Sequence, residues 1–370
     1  VDTLVHSILE IGAEPLICIG FYSSTENCML TPPSMATNSI TNLPYPESFA
    51  AYAAEWIKHF KDAGFSVRYY EIVNEPFHYF GWNPSNTTKL AYYVELFNAA
   101  ARRMRQEKPD ILISHDTSTM KKVFDYWLQN GDDIDFLDFH KYDSNTVGKF
   151  TDAEMLKRAE YLRFDTSFSF YGVDEARQKW LNARGKILPA INSESGFNSA
   201  WKNGTDPRIP QRVGAVWTSL VLRMAILKGV NYNVYYTFSS SASYSQSHGD
   251  GYGFGMVNSD NDQQWYPYYV QSILGNNLGV GDSIVETNSS SDDIRLLASI
   301  HDRTLNLLLI NKIDEPRTIH LHGLTGELNF FKIDNTISFL TPSIQIGTIN
   351  ATRPLTVKGY TVALLQTQLV

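Results

Sequence analysis

Cysteine is nearly absent from this 370-residue chain, which carries only Cys18 and Cys28. A framework of several disulfides is thereby excluded as the source of its stability, and one local bond or two buried thiols remain open. Charge is sparse as well. With 39 acidic and 31 basic residues, 19% charged and a formal net charge of −8, the chain lacks the charge density of a disordered polymer. It also lacks the excess of Lys and Arg that a phosphate backbone demands, so no nucleic-acid partner is expected. Long apolar runs are missing: the best stretch, Val216 to Val230, is broken by Arg223 and Lys228. It falls short of the roughly 18 uninterrupted apolar residues that a bilayer span needs, so no membrane partner is expected either. No G-x-G-x-x-G or P-loop follows any strand-like segment, which removes the usual sign of a nucleotide-binding doubly wound fold. No cofactor is implied.

What is present is a long alternation of helical and strand-like patterns. A short amphipathic helix from Asp2 to Ile11 precedes the apolar strand LICIGF at 16–21. Phe49, Ala53, Trp56, Ile57 and Phe60 then recur at helical spacing, closed by Gly64, and lead to VRYYEIVN at 67–74. Helices near 89–107 and 121–129 lead to ILISH at 111–115 and FLDFH at 136–140. Helices near 152–163 and 173–183 lead to ILPAINSE at 187–194, and one from Val213 to Leu227 leads to VNYNVYYTF at 230–238. Continuously apolar strands, each reached through a helix, predict an α/β fold with a parallel sheet covered on both faces. Polar and acidic residues crowd the carboxyl ends of these strands, as the active face of a (β/α)8 TIM barrel requires. Beyond about Gly279 the pattern changes to period two, in RLLASIH, LNLLLINK, LNFFKID and YTVALLQTQ. The expected organisation is a barrel domain over 1–278 and a C-terminal β-sandwich over 279–370.

Two strand ends carry the chemistry. YYEIVNEPFHYFGW places Asn74 and Glu75 where a strand opens into its loop, with Pro76 stopping the strand and an aromatic cluster including Trp82 following. ILPAINSE ends on Glu194. Glycosidic bond cleavage needs such a pair, one carboxyl protonated to assist the leaving group and one ionised to attack the anomeric carbon.

At these residues the sequence resembles the clan A glycoside hydrolases, and the xylosidase/iduronidase family 39 and related cellulases in particular. Asn74-Glu75 resembles the acid/base motif ending the fourth barrel strand, Glu194 the nucleophile ending the seventh, and His140-x-Tyr142 the sixth-strand pair that lines the reacting sugar. The two strands between Glu75 and Glu194 match the count this register demands. The resemblance implies a retaining double displacement with Glu75 as acid/base and Glu194 as nucleophile. It also implies that Asn74 bonds the sugar 2-hydroxyl and that Tyr142 steadies the nucleophile. Where the family's eighth strand offers a Trp, this chain offers Tyr236 or Phe238.

Further sugar contacts are expected from His115, Trp82 and Trp201, against the plainer reading that such side chains only pack. His115, Asp116, Asp138 and His140 could instead suggest a metal site. Strand four ends in Asn-Glu-Pro rather than a bridging ligand, however, and strand eight ends without Asp, so no metal is expected. The expected partner is a β-linked oligo- or polysaccharide, cut by an endo-β-1,4-glucanase or by an exo-acting β-xylosidase or β-glucosidase. A noncatalytic carbohydrate-binding barrel is the rival of a different class. Sequons at Asn86, Asn203, Asn288 and Asn350 point to secretion, with any export signal upstream of Val1. Counting back from Glu75 makes LICIGF the third barrel strand. The first two strands, and the second-strand Arg that bonds the nucleophile, are therefore expected from an upstream segment, such as a separate N-terminal chain.

Overall fold

A computed structural model describes residues 1–23, 28–30, 32, 35–38, 43–76, 87–116, 120–162, 170–200, 205–247 and 252–369. By compactness the chain divides into two units: Val1–His140, Ser167–Ser193 and Gly229–Asn233, and Lys141–Thr166, Glu194–Lys228 and Val234–Val370. The division passes through strands.

In the first unit, helix α1 (Asp2–Glu10) leads to β1 (Leu16–Ser23), which pairs with β2 (Cys28–Leu30). Helix α2 (Pro46–Asp62) opens on a Pro in its first turn, where the missing N–H costs nothing. It buries Phe49, Ala53, Ile57 and Phe60 at helical spacing. It leads to β3 (Tyr69–Asn74), and α3 (Thr87–Glu107) packs against α2 and leads to β4 (Leu112–Ser114). The sheet order is β2-β1-β3-β4, with β1, β3 and β4 parallel: Cys18 faces Glu71, and Glu71 faces Ser114. Helix α4 (Lys121–Asn130) then precedes β5 (Leu137–Tyr142), whose six residues are all buried. A central strand covered on both faces reads as this continuous burial.

Two helices follow β5. The first, α5 (Asp152–Ala159), starts at a capping box between Thr151 and Glu154 and ends earlier than the expected 163. The second, α6 (Val173–Arg184), ends at Gly185, whose φ of 74° suits a glycine cap. Next come β6 (Ala190–Gly196), α7 (Arg212–Leu227) and β7 (Tyr232–Tyr235), in sheet order β5-β6-β7. The six strands expected as barrel strands three to eight are therefore β1, β3, β4, β5, β6 and β7.

Sequence patterning did not reveal the short elements directly after β7. A small sheet of β8 (Ser239–Ser240), β9 (Val257–Asn258) and β10 (Gln263–Gln264) encloses the short helix α8 (Ala242–Ser247). Two-residue strands carry no periodicity to read. Helix α9 (Tyr266–Asn277) then leads to β11 (Ser283–Val285), β12 (Ile294–His301), β13 (Thr304–Asn311), β14 (Arg317–Ile319), β15 (Glu327–Ile333), β16 (Gln345–Asn350), β17 (Leu355–Val357) and β18 (Val362–Gln368). Six of them form an antiparallel sheet in the order β11-β12-β13-β18-β15-β16, while β14 and β17 pair separately. Leu305, Leu307, Leu309 and Leu365 share a core with Leu355 and Val357 of that ribbon.

The expected alternation of apolar and polar faces fails in β13, where Leu308 and Ile310 are wholly buried too. The reason is that α7 packs against β13 and β18, and α9 against β15, within the second unit. The Arg223 guanidinium at the end of α7 donates to the Leu296 carbonyl at 2.7 Å. Among the described residues no helix is long and apolar enough to cross a membrane.

Candidate active site

Glu75 follows β3 at a sharp backbone bend, with φ of 66° at Val73 and 42° at Glu75 itself. Left-handed backbone costs a non-glycine residue about 1–2 kcal/mol. One stabilising contact of comparable size is visible: the Glu75 N–H donates to Asp116 Oδ2 at 2.7 Å, and a hydrogen bond to a charged group is worth about 1.5–3 kcal/mol. On the other side, His140 of β5 places Nδ1 2.9 Å from Glu75 Oε1. The same ring has Nε2 3.6 Å from Asp116 Oδ2, so it stands between two carboxyl groups. Both His140 and Asp116 are buried. Burial pushes the Asp116 carboxyl well up, the neighbouring His140 pulls it down, and Glu75 and Asp138 push it up further. Asn74, the expected partner of the sugar 2-hydroxyl, is half-buried at the strand end.

Glu71 lies one turn of the strand pleat deeper on β3 and is also buried. Cys18 Sγ is 3.7 Å from its Oε1. Cys18 carries a free thiol. Glu71, Asp116 and His140 bring one ligand atom each within 4.8 Å of one another. That donor set resembles a cation site in kind, but His140 Nδ1 is already engaged with Glu75, and a tight cation site holds each ligand at about 2.0–2.6 Å from the ion.

The second unit holds the other carboxylate. The Tyr142 hydroxyl at the end of β5 donates to Glu194 Oε1 on β6. Beside them Gly196 presses on the tyrosine: a Cβ there would lie 2.7 Å from Tyr142 Cε1. Tyr142 is buried, so the ring cannot move aside cheaply. The strand register is continued by Ser195, whose carbonyl accepts from the Tyr236 N–H at 2.7 Å and whose hydroxyl donates to the Val234 carbonyl. Tyr236 is 44% exposed and Phe238 62% exposed, so both rings offer accessible faces. Tyr236 stacks at a tilt on Phe254, with ring centroids 5.7 Å apart.

His115, expected as a sugar contact, lies elsewhere. It is wholly buried, 4.1 Å from the Trp127 ring and edge-on to Phe97 and Tyr93. A ring with no exposed surface meets no sugar from that position. Trp82 and Trp201 lie outside the described residues, as do the sequons Asn86 and Asn203. Sequence reasoning missed Glu71 and Gly196, and weighed Asp116 only as a partner of His115 or a metal ligand. Glu71 gave a usable signal, because an acidic residue inside an apolar strand is seldom fully buried without a role.

No family model matches the chain, and no curated protein matches it. Solved structures do. BuGH86wt in complex with neoagarooctaose aligns over 100% of this chain and 63% of its own, at 15% identity and a TM-score of 0.69. A monomeric β-xylosidase from Caulobacter crescentus CB15 aligns over 100% and 84%, at 13% identity and 0.65. CelM2, a bifunctional glucanase-xylanase protein from a metagenome library, aligns over 100% and 85%, at 14% identity and 0.63. These are TIM-barrel glycoside hydrolases with a C-terminal sandwich, and the chain shares their fold. It spans less than two thirds of the length of the first.

Proposed function

We propose that the chain is a retaining glycoside hydrolase that cleaves β-linked polysaccharides, with Glu75 as acid/base and Glu194 as nucleophile. The observation that carries this is the pairing of each strand-end glutamate with its own hydrogen-bond partner, the Tyr142 hydroxyl with Glu194 and the His140 imidazole with Glu75. The shared fold supports it. In the first step Glu194 attacks the anomeric carbon while Glu75 protonates the departing oxygen. The Glu194–carbon bond forms as the carbon–oxygen bond breaks. In the second step Glu75, now a carboxylate, takes a proton from water, which displaces Glu194 with a second inversion.

The Tyr142 phenol gives Glu194 a charge-assisted hydrogen bond that holds the attacking group in place. Asn74 would bond the sugar 2-hydroxyl, and Tyr236 would stack on a ring. We read the substrate as a β-1,4-glucan cut internally. A β-xylosidase among the solved structures of the same fold keeps exo action as the second reading. Product analysis on cello-, xylo- and manno-oligosaccharides of several lengths decides between them. The first product should keep the β configuration by proton NMR, and an α product would sink the retaining mechanism. We also propose that the protein acts outside the cell, since Asn288 and Asn350 are both exposed sequons. A glycosidase-sensitive mass difference on expression in a secreting eukaryotic host tests this.

A further inference from the structure

We propose that Asp116 is the positioning residue for the acid/base: one buried carboxylate fixes both the backbone of Glu75 and the ring that faces its side chain. The proposal rests on Glu75 having the acid/base role.

Three observations carry it, all within one compact unit. First, Glu75 sits at φ 42°, two residues after Val73 at φ 66°. A β-branched residue and a glutamate both in left-handed backbone within one short bend need something to hold them there. Asp116 Oδ2 takes the Glu75 N–H at 2.7 Å, which holds that bend. Secondly, the register brings it there. Glu71 faces Ser114 across β3 and β4, so continuing that register brings Asp116 level with Val73, where the chain turns. Thirdly, the same oxygen lies 3.6 Å from His140 Nε2, while His140 Nδ1 lies 2.9 Å from Glu75 Oε1. Asp116 beside one ring nitrogen thereby fixes the orientation in which the other faces Glu75.

Asp116 therefore reaches the acid/base by two routes, through its main chain and through His140. Its other oxygen, Oδ1, has no hydrogen-bond partner among the described residues. A carboxylate serving packing alone would gain by satisfying both oxygens. The charged and titratable groups facing this cluster include Cys18 on β1, Glu71 on β3, Tyr93 on α3, Asp138 and His140 on β5, and Glu75 itself.

The test uses the leaving-group dependence of the first step. A proton donor matters for a poor leaving group and hardly at all for a good one. Phenyl and dinitrophenyl β-glycosides of the sugar that the wild type turns over are compared in wild type, Asp116→Ala and Asp116→Asn. Asp116→Ala should lower kcat/KM about 100-fold on the phenyl glycoside and less than about 5-fold on the dinitrophenyl one. Asp116→Asn keeps an oxygen for the Glu75 N–H but puts an amide in place of the carboxyl beside His140, so its selective loss should be about 10-fold. Equal losses on both substrates, or no loss on the phenyl glycoside, would overturn the proposal. If Asp116→Ala does not fold, the asparagine variant decides by the same criterion. Should the wild type cleave neither glycoside, the hydrolase reading itself fails. Asp116 is then judged from a crystal structure of Asp116→Asn or Asp116→Ala: a Glu75 that keeps positive φ in the alanine variant, or an unmoved His140 in the asparagine one, refutes the role.

Discussion

The two glutamates live in unlike surroundings. Glu75 stands at the rim of a buried cluster of ionisable groups, with Asp116 on its N–H and His140 on its carboxyl. Glu194 has beside it the hydroxyl of Tyr142 and a glycine that lets the ring approach. The contrast suits two different tasks. A group that must give up and regain a proton benefits from neighbours whose own charges can respond to it. A group that must attack benefits from a fixed donor whose charge does not change during the cycle.

Removing the carboxylates tests the contrast at full strength. Glu194→Ala should lower turnover about 10,000-fold or more on every glycoside, because no step remains without the nucleophile. Glu75→Ala should cost about 100- to 10,000-fold on natural linkages and far less for glycosylation by activated aryl glycosides. Steady-state rates on both substrate classes, with a burst measured on the activated one, check the assignment. If the two variants showed the same substrate profile, the division of labour would be wrong.

Tyr142→Phe removes the donor and leaves the ring. Loss of one preorganised donor typically slows chemistry by about 100-fold or more, so kcat should fall by about that factor with KM within a few-fold of wild type. A change confined to KM would reassign Tyr142 to substrate binding.

How much of this was legible in the chain differs between the two ends of the contrast. Glu194 was placed by strand patterning at the end of an apolar segment, and Tyr142 by the resemblance its H-x-Y pattern carries. The surroundings of Glu75 were not. Asp116 acts through a backbone N–H made available by a left-handed bend at Val73 and Glu75, and neither residue type announces positive φ. His115 misled for a related reason: a histidine next to a strand end reads as a cleft residue, yet its side chain packs on Trp127, Phe97 and Tyr93. The next residue, Asp116, instead faces the Glu75 N–H and His140. In the C-terminal strands the alternation was legible. The double burial of β13 was not, because which helices cover a sheet is a tertiary fact.

The buried pair His115 and Asp116 gives the Glu75 side a pH signature. Burial lowers His115 from 6.5 to about 3. The unfolded chain therefore takes up a proton that the folded chain refuses, and stability is lost as pH falls from about 6.5 towards 3. Asp116 has the opposite sign: burial raises its carboxyl, so its contribution is present below the unfolded value of 3.8 and is lost as pH rises through the raised one. In wild type the two partly cancel on the acid side. His115→Phe should remove the first and leave the second, gaining up to about 1.4 kcal/mol per pH unit relative to wild type below pH 6.5. Urea midpoints at several pH values measure this, and Tyr142→Phe should leave the slope unchanged. Parallel curves for His115→Phe and wild type would show that His115 charges freely in the folded state.

The smallest effect comes from a carboxylate that serves neither end. Glu160 follows α5 and receives Arg295 at 2.7 Å from β12 and Lys312 at 2.8 Å from the chain after β13. Its side chain is 18% exposed, and the two cations are at 21% and 14%, so this is a partly desolvated network rather than a surface pair. Exposed pairs are worth about 0–1 kcal/mol, while removing one member of a buried pair costs about 3–5. Glu160→Gln keeps the shape and one acceptor oxygen for the two cations, which places its cost near the lower range, at about 1–2 kcal/mol. Activity on either glycoside should stay within about 2-fold of wild type, because no group from β12 or β13 takes part in the proposed chemistry. A selective loss on the phenyl glycoside would show instead that the acid/base depends on the C-terminal strands, and would blur the contrast with Glu194 that the other variants draw.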